Sequence, residues 1–265
     1  MNTQASKARR RLGAALGTAL LVTVIWAVAA IGLESAPGSA PESGRAGGAE
    51  PHEGVEAGTA AALLEELPVK GRAPRTGYDR EQFGAGWKDP DRNGCDARND
   101  TLQRDLDGAV LDGPCTVLSG VLSDPYTGAR IEFVRGPSSS QAVQIDHVVA
   151  LSDAWQKGAQ TLSDERRVDF ANDPLNLLAV DGPTNSRKGD ADAASWLPPQ
   201  RGVRCAYVAR QVSVKAAYGL WITGPEREAM RRVLAGCPEQ PAYAPDGSPI
   251  GLSPSGHSTA ATNSG

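Results

Sequence analysis

The stretch Gln144-Ile-Asp-His-Val-Val-Ala-Leu-Ser-Asp-Ala-Trp155 places His147, one of three histidines in 265 residues, beside Asp146 in an apolar run. The other two, His52 and His257, fall in Ala-, Gly-, Pro- and Ser-rich sequence without the periodicity of a folded element. Taken alone, His147 reads as a core histidine, because strand alternation sets it on one face with Ile145 and Val149. The same alternation sends Asp146 to the opposite face, so the two can serve one site only if the strand bends or ends there.

Working outward, "LNLLAV" at 175–180 reads as a buried strand, and Asp181-Gly182-Pro183 as a turn. A helix follows from about Thr184 to Trp196, stopped by Pro198-Pro199. Between the strands, Ser152 and Ser163 can cap two short helices, the second ended by Asp173-Pro174. Upstream, Asp96–Leu106 is helix-like, and 115–134 reads as a hairpin whose strands flank the turn "SDPYTG". Downstream, helices are expected over about 204–219 and 225–235. The expected class is α+β.

Strand, strand, helix brings Asp146 and His147, then Asn176, then Asn185 into one order. Asp146 and Asn185 are oxygen ligands suited to Mg²⁺, which is commonly held by one or two protein groups plus phosphate. His147, neutral near pH 7, suits a general base that takes a proton from water. Asn176 suits orientation of the loop after His147. Arg187 and Lys188 follow Asn185, where cations and free N–H groups at a helix start can meet phosphate, although such a pair is also common on an ordinary solvated face. Asn at a helix start is common too, which is compatible with a ligand role for Asn185.

These residues carry a resemblance. "IDHVVAL" followed by "NDPLNLLAVDGPTNSRKGD" resembles the HNH (His-Me finger) endonuclease motif with its ββα-metal fold, in the form that ends on Asn. "GYDREQFG", "CDARNDTLQRDL" and "CAYVARQVSVKAAYGLWIT" are similar to the secreted HNH family proteins of actinobacteria, and the likeness spans most of 76–237. The resemblance implies a ββα-metal core with additional helices and a β-hairpin. It also implies a phosphodiester hydrolase acting on DNA or RNA, with Asp146 and Asn185 as metal ligands and Mg²⁺, or alternatively Mn²⁺, as the ion. His147 becomes the general base and Asn176 the middle residue of the motif. Arg98, in "CDARND", becomes a candidate phosphate clamp, with a helix-surface salt bridge to Asp105 or Glu81 as its ordinary alternative. Two departures stand out: Ala150 replaces the proline or polar residue many such motifs carry, and the segment from His147 to Asn176 is long. A silent nucleic-acid- or envelope-binding module on the same scaffold is the alternative from another class.

The ends set the domain limits. Lys7, Arg9, Arg10 and Arg11 precede Leu12–Leu33, which is without charge and reads as a signal peptide or a signal anchor. Residues 34–66 read as a disordered linker and 239–265 as a disordered tail, leaving 67–238 as the domain. The chain carries 27 basic and 31 acidic residues, and the domain has as many basic as acidic ones, so binding nucleic acid by bulk attraction is excluded and a local site is required. Four cysteines, Cys95, Cys115, Cys205 and Cys237, in an exported chain favour two disulfides. Three pairings are open. A zinc site is disfavoured because no two cysteines are spaced C-x-x-C. No protein partner is implied, and any membrane contact would come through the N-terminal segment, with the domain outside the cell.

Overall fold

The computed structural model describes residues 58–137, 139–245 and 247, so the expected signal segment and most of the expected linker lie outside the described residues. Among the described residues no helix is long and apolar enough to cross a membrane.

Two small sheets and seven α-helices make up the domain. A three-stranded antiparallel sheet contains β1 (Leu106–Asp112), β2 (Thr116–Ser123) and β3 (Arg130–Val134) in that order. A two-stranded antiparallel sheet pairs β4 (Val143–His147) with β5 (Leu177–Asp181). The helices are α1 (Ala60–Glu66), α2 (Ala97–Asp105), α3 (Leu151–Trp155), α4 (Asp164–Asn172), α5 (Gly182–Lys188), α6 (Arg204–Ala217) and α7 (Gly224–Leu234). Mixed helices and small sheets are the α+β architecture expected. The β4–β5–α5 unit has the strand, strand, helix order of the motif.

Why these residues form these elements is local in most places. Asp96 caps α2 by accepting from Asn99 N, and Ser163 caps α4 by accepting from Arg166 N. Thr223 and Glu226 form a capping box at α7, where Pro225 fits the first turn. Asp181 caps α5 through Thr184 N. Gly182, the first residue of α5, is obligatory for space: a Cβ there would lie 2.1 Å from the Gln141 carbonyl oxygen, and its N–H donates to Ala142 O. That close approach seats α5 against the start of β4.

Three expectations need correction. The helix after β5 stops at Lys188 rather than near Trp196, because Gly189 takes a positive φ of 57° and leaves the helical region. The hairpin at 115–134 is part of a three-stranded sheet: β1, partly exposed and interrupted by bulges against β2, has Asp107-Gly108 in its first half and so reads as turn. The linker and tail limits also move outward. Thr59 caps α1, Ala60 and Leu64 are buried in the core, and Ala60 N donates to Gln240 O while Ala242 N donates to Gly58 O. Residues 58–66 and 239–243 therefore belong to the folded unit.

The core has three apolar groups. One joins α1, α6 and α7 through residues such as Leu64, Val208, Val212 and Met230. A second packs Phe83, Trp155, Phe170 and Tyr218 as aromatic edges. The third lies between the two sheets, with Leu102, Val117, Phe133, Ile145 and Leu177. Trp155 is a core residue, whereas Trp196 and Trp221 are half-buried. Two disulfides staple this core, Cys95–Cys115 and Cys205–Cys237.

Candidate active site

The pairing of β4 with β5 keeps regular register through Asp146↔Leu178 and His147↔Leu177. Asp146 and His147 therefore leave opposite faces, as alternation requires. The strand ends at His147, and the chain turns away over Val148 and Val149. At that end both side chains line one cavity of about 630 Å³, together with Gln144, Asn185 and Arg98.

His147 is buried, with its Nε2 2.8 Å from Ala171 O. A carbonyl can only accept, so Nε2 carries the proton and Nδ1 is left as the acceptor. Trp87 stacks on the imidazole with centroids 5.9 Å apart and planes 11° apart. Burial, with Arg80 and Lys188 adding repulsion, pushes the imidazole down to about 3 against the Ala171 bond, so the ring is neutral near pH 7. A neutral, fixed imidazole with one open nitrogen can accept a proton from water.

Asn176 does not line the cavity. It is fully buried, and its Oδ1 accepts from Val149 N at 2.8 Å while Nδ2 donates to Val149 O and Phe170 O, each at 3.3 Å. Its backbone carbonyl also accepts from Val148 N. Asn176 thus locks the turn that follows His147 to the start of β5. These hydrogen bonds are those of a side chain that orients the loop after His147.

Lys188 likewise departs from its expected place. Its side chain is buried, with Nζ 3.0 Å from Asp146 Oδ1 and 2.9 Å from His147 O. Tyr126 Oη donates to the other Asp146 oxygen at 2.5 Å. Burial raises the Asp146 carboxyl above the ordinary range, while Lys188 and Tyr126 pull it the other way. Lys188 is therefore an internal partner of Asp146 and not a surface cation awaiting substrate. Arg187 is exposed, donates to Thr184 Oγ1 and lies outside the cavity lining.

Asn185 lines the cavity and donates through Nδ2 to Gln144 Oε1 at 3.0 Å, which leaves its amide oxygen available. Asp146 and Asn185 are hard oxygen donors lining the same cavity, and in donor type they fit a Mg²⁺-like ion. Lys188 already occupies part of the carboxylate's charge, and no group of three His, Cys, Asp or Glu side chains suited to a metal stands preassembled among the described residues. Two protein ligands plus substrate phosphate is the arrangement this donor set can provide.

Arg98 is half-buried on α2 and makes no hydrogen bond or ion pair among the described residues; burial and the nearby Arg135 lower its pKa. The alternative salt bridge fails because Asp105 pairs with Arg104 instead. Sequence reasoning missed other cavity residues: Arg75, Tyr78, Arg80 and Trp87, from the segment before α2 whose one short element is a 3-10 turn over Arg80–Phe83, and Gln144. For Gln144 the signal was present, since alternation puts it on the Asp146 face of β4.

A small antiparallel strand pair, a helix seated on it, and an Asp, His and Asn around an arginine-bearing cavity define a nuclease-type domain. Residues 96–233 match the family described as GmrSD restriction endonucleases, C-terminal domain, and the chain belongs to that family. It is also 37% identical over 183 residues to an uncharacterized secreted protein of Arthroderma benhamiae, an alignment covering 68% of this chain and 86% of the relative.

Proposed function

We propose that this chain is an exported, metal-dependent endonuclease of the HNH type that hydrolyses phosphodiester bonds of DNA, and of RNA if single strands enter the cavity. The observation that carries this reading is His147, held neutral by burial and fixed through Nε2, in the cavity that Asp146 and Asn185 also line. Two disulfides and a relative described as secreted support an extracellular place of action.

In the proposed mechanism, Nδ1 of His147 accepts a proton from the attacking water, and the Ala171 carbonyl, holding Nε2–H, keeps the ring in the tautomer that can do so. Asn176 fixes the turn that follows the imidazole, and Trp87 limits the tilt of the ring. Asp146 and Asn185 would hold a divalent cation, Mg²⁺ or Mn²⁺, which when bound neutralises charge on the phosphate and the leaving oxygen. Lys188 and Tyr126 hold the Asp146 carboxylate at a set position. Arg98 offers a cation to a phosphate oxygen.

The test is incubation of the purified chain with plasmid DNA and with a single-stranded RNA, in Mg²⁺, in Mn²⁺ and in EDTA. Nicking or linearisation that EDTA abolishes is expected. Cleavage that persists in EDTA contradicts the metal, and no cleavage of either nucleic acid moves the assignment to a silent binding module.

A further inference from the structure

Three arginines line the cavity beside His147: Arg75, Arg80 and Arg98. Two of them, Arg80 and Arg98, make no hydrogen bond or ion pair among the described residues. Arg75 meets Asp190 only at 3.8 Å, where both are exposed, and lies 5.1 Å from the Tyr78 ring centroid. The other acid in the lining, Asp146, is already paired with Lys188. A concave surface thus collects three guanidinium groups with one weak counter-charge, in a domain whose basic and acidic residues balance. Guanidinium forks match phosphate oxygens, and a cavity lined by one sign of charge concentrates ligands of the other.

These arginines are mounted, not loose. Asp79 caps the turn Arg80–Phe83 by accepting from Glu81 N, and Arg167 Nε holds the same turn through Gln82 O at 3.0 Å. Phe83 is buried against Trp155 and Phe170. Further along, Lys88 N donates to Asn172 Oδ1 and Lys88 O accepts from Ala97 N, which ties Trp87 to the start of α2 and hence to Arg98. Arg75 and Arg80 precede the family match, which begins at residue 96.

We infer that Arg75, Arg80 and Arg98 together form the subsite that grips the backbone phosphates of the nucleic-acid strand on either side of the bond presented to His147, so that the segment preceding the family match completes the site. This rests on the nuclease reading above. The subsite acts on binding, so these are positioning and affinity residues; the proton transfer stays with His147.

The test uses the full chain carrying His147→Ala, so that the probe survives, and a fluorescein-labelled single-stranded 20-mer DNA followed by anisotropy across a salt series. Arg80→Ala and Arg98→Gln are expected to raise Kd about tenfold each, and each to reduce the slope of log Kd against log salt by roughly 0.7. Arg130→Ala removes an equal charge from the exposed face of β3 and should leave both quantities unchanged. Arg80 is exposed, so its substitution does not threaten folding. Unchanged Kd and slope in Arg80→Ala and Arg98→Gln, or equal weakening by Arg130→Ala, overturns the subsite. If the unsubstituted chain cleaves plasmid while the arginine variants bind normally, only this inference fails; if it cleaves no nucleic acid, the nuclease reading fails first.

Discussion

At the residue scale, the motif positions divide into those that line the cavity and those buried behind it. Asn176 is buried with its amide carrying three hydrogen bonds, two of them to the backbone of Val149. Asn176→Ala leaves the Val149 N–H without its partner, which should cost about 2–4 kcal/mol of stability. Urea unfolding checks it; a change under about 1 kcal/mol contradicts the positioning role. Lys188→Met leaves the Asp146 carboxylate buried without its cation, and breaking such a pair costs about 3–5 kcal/mol. Joint replacement, Lys188→Met with Asp146→Leu, should recover much of that loss in the same measurement. Failure of the double variant to recover would mean that Lys188 acts on stability mainly through His147 O.

At the element scale, α1 is pinned to α7 by Glu65, whose carboxylate accepts from Arg227 and Arg231. Arg231 first, then Arg227, hold Glu65 down to about 2, although partial burial works the other way. Because the folded value lies below the unfolded 4.5, this contribution is present above about pH 4.5 and is lost as pH falls through about 2. The groups are about a third exposed, so solvent screening limits the contribution to about 0.5–1 kcal/mol. Glu65→Gln should therefore lower Tm slightly at pH 6 and by much less near pH 2; an equal loss at both values contradicts the ion pairs as its source. This helix was invisible in the sequence because "TAAALLEEL" sits at the end of a long Ala- and Gly-rich stretch, and seven residues of helix take their stability from packing on α6 and α7. In contrast, β4, β5 and α5 were legible because their capping, turn and apolar signals are local. The edge strand β1 was not, since its burial is partial and its bulges break the alternation.

At the scale of the whole molecule, a buried charge network joins segments distant in the chain. Lys157 Nζ lies 2.7 Å from Asp153, 2.8 Å from Asp192 and 2.6 Å from Glu226, while Lys215 meets Asp153 and Glu226 and Arg72 meets Asp153 and Asp192. Three cations and three anions balance, which is why these groups tolerate burial. Apart from the i,i+4 spacing of Asp153 and Lys157, nothing in the sequence announced the network, because Arg72, Asp192, Lys215 and Glu226 come from separate segments. The same is true of Arg75 and Arg80, brought to the cavity by aromatic packing of Phe83 that no periodicity encodes. The Cys205–Cys237 bridge ties the start of α6 to the segment after α7, and replacing both cysteines with serine should cost about 2–5 kcal/mol. A melt unchanged by that double substitution would show that helix packing alone fixes this end. The Asp146, His147, Asn176 and Asn185 order was readable because each sits in a local strand or helix-start signal, even though the segment from His147 to Asn176 is long. What the sequence left hidden was the pairing of Lys188 with Asp146, a contact across α5 and β4 that depends on Gly182 allowing their close approach.

We propose that His147 activates water for phosphodiester hydrolysis. The most direct measurement is the plasmid-cleavage rate of the purified chain in Mg²⁺ beside His147→Ala, with thermal melts confirming that both are folded. A rate at least about a hundredfold lower is expected in the variant, the lower end of what a positioned general base supplies. Equal rates for the two folded proteins would contradict it.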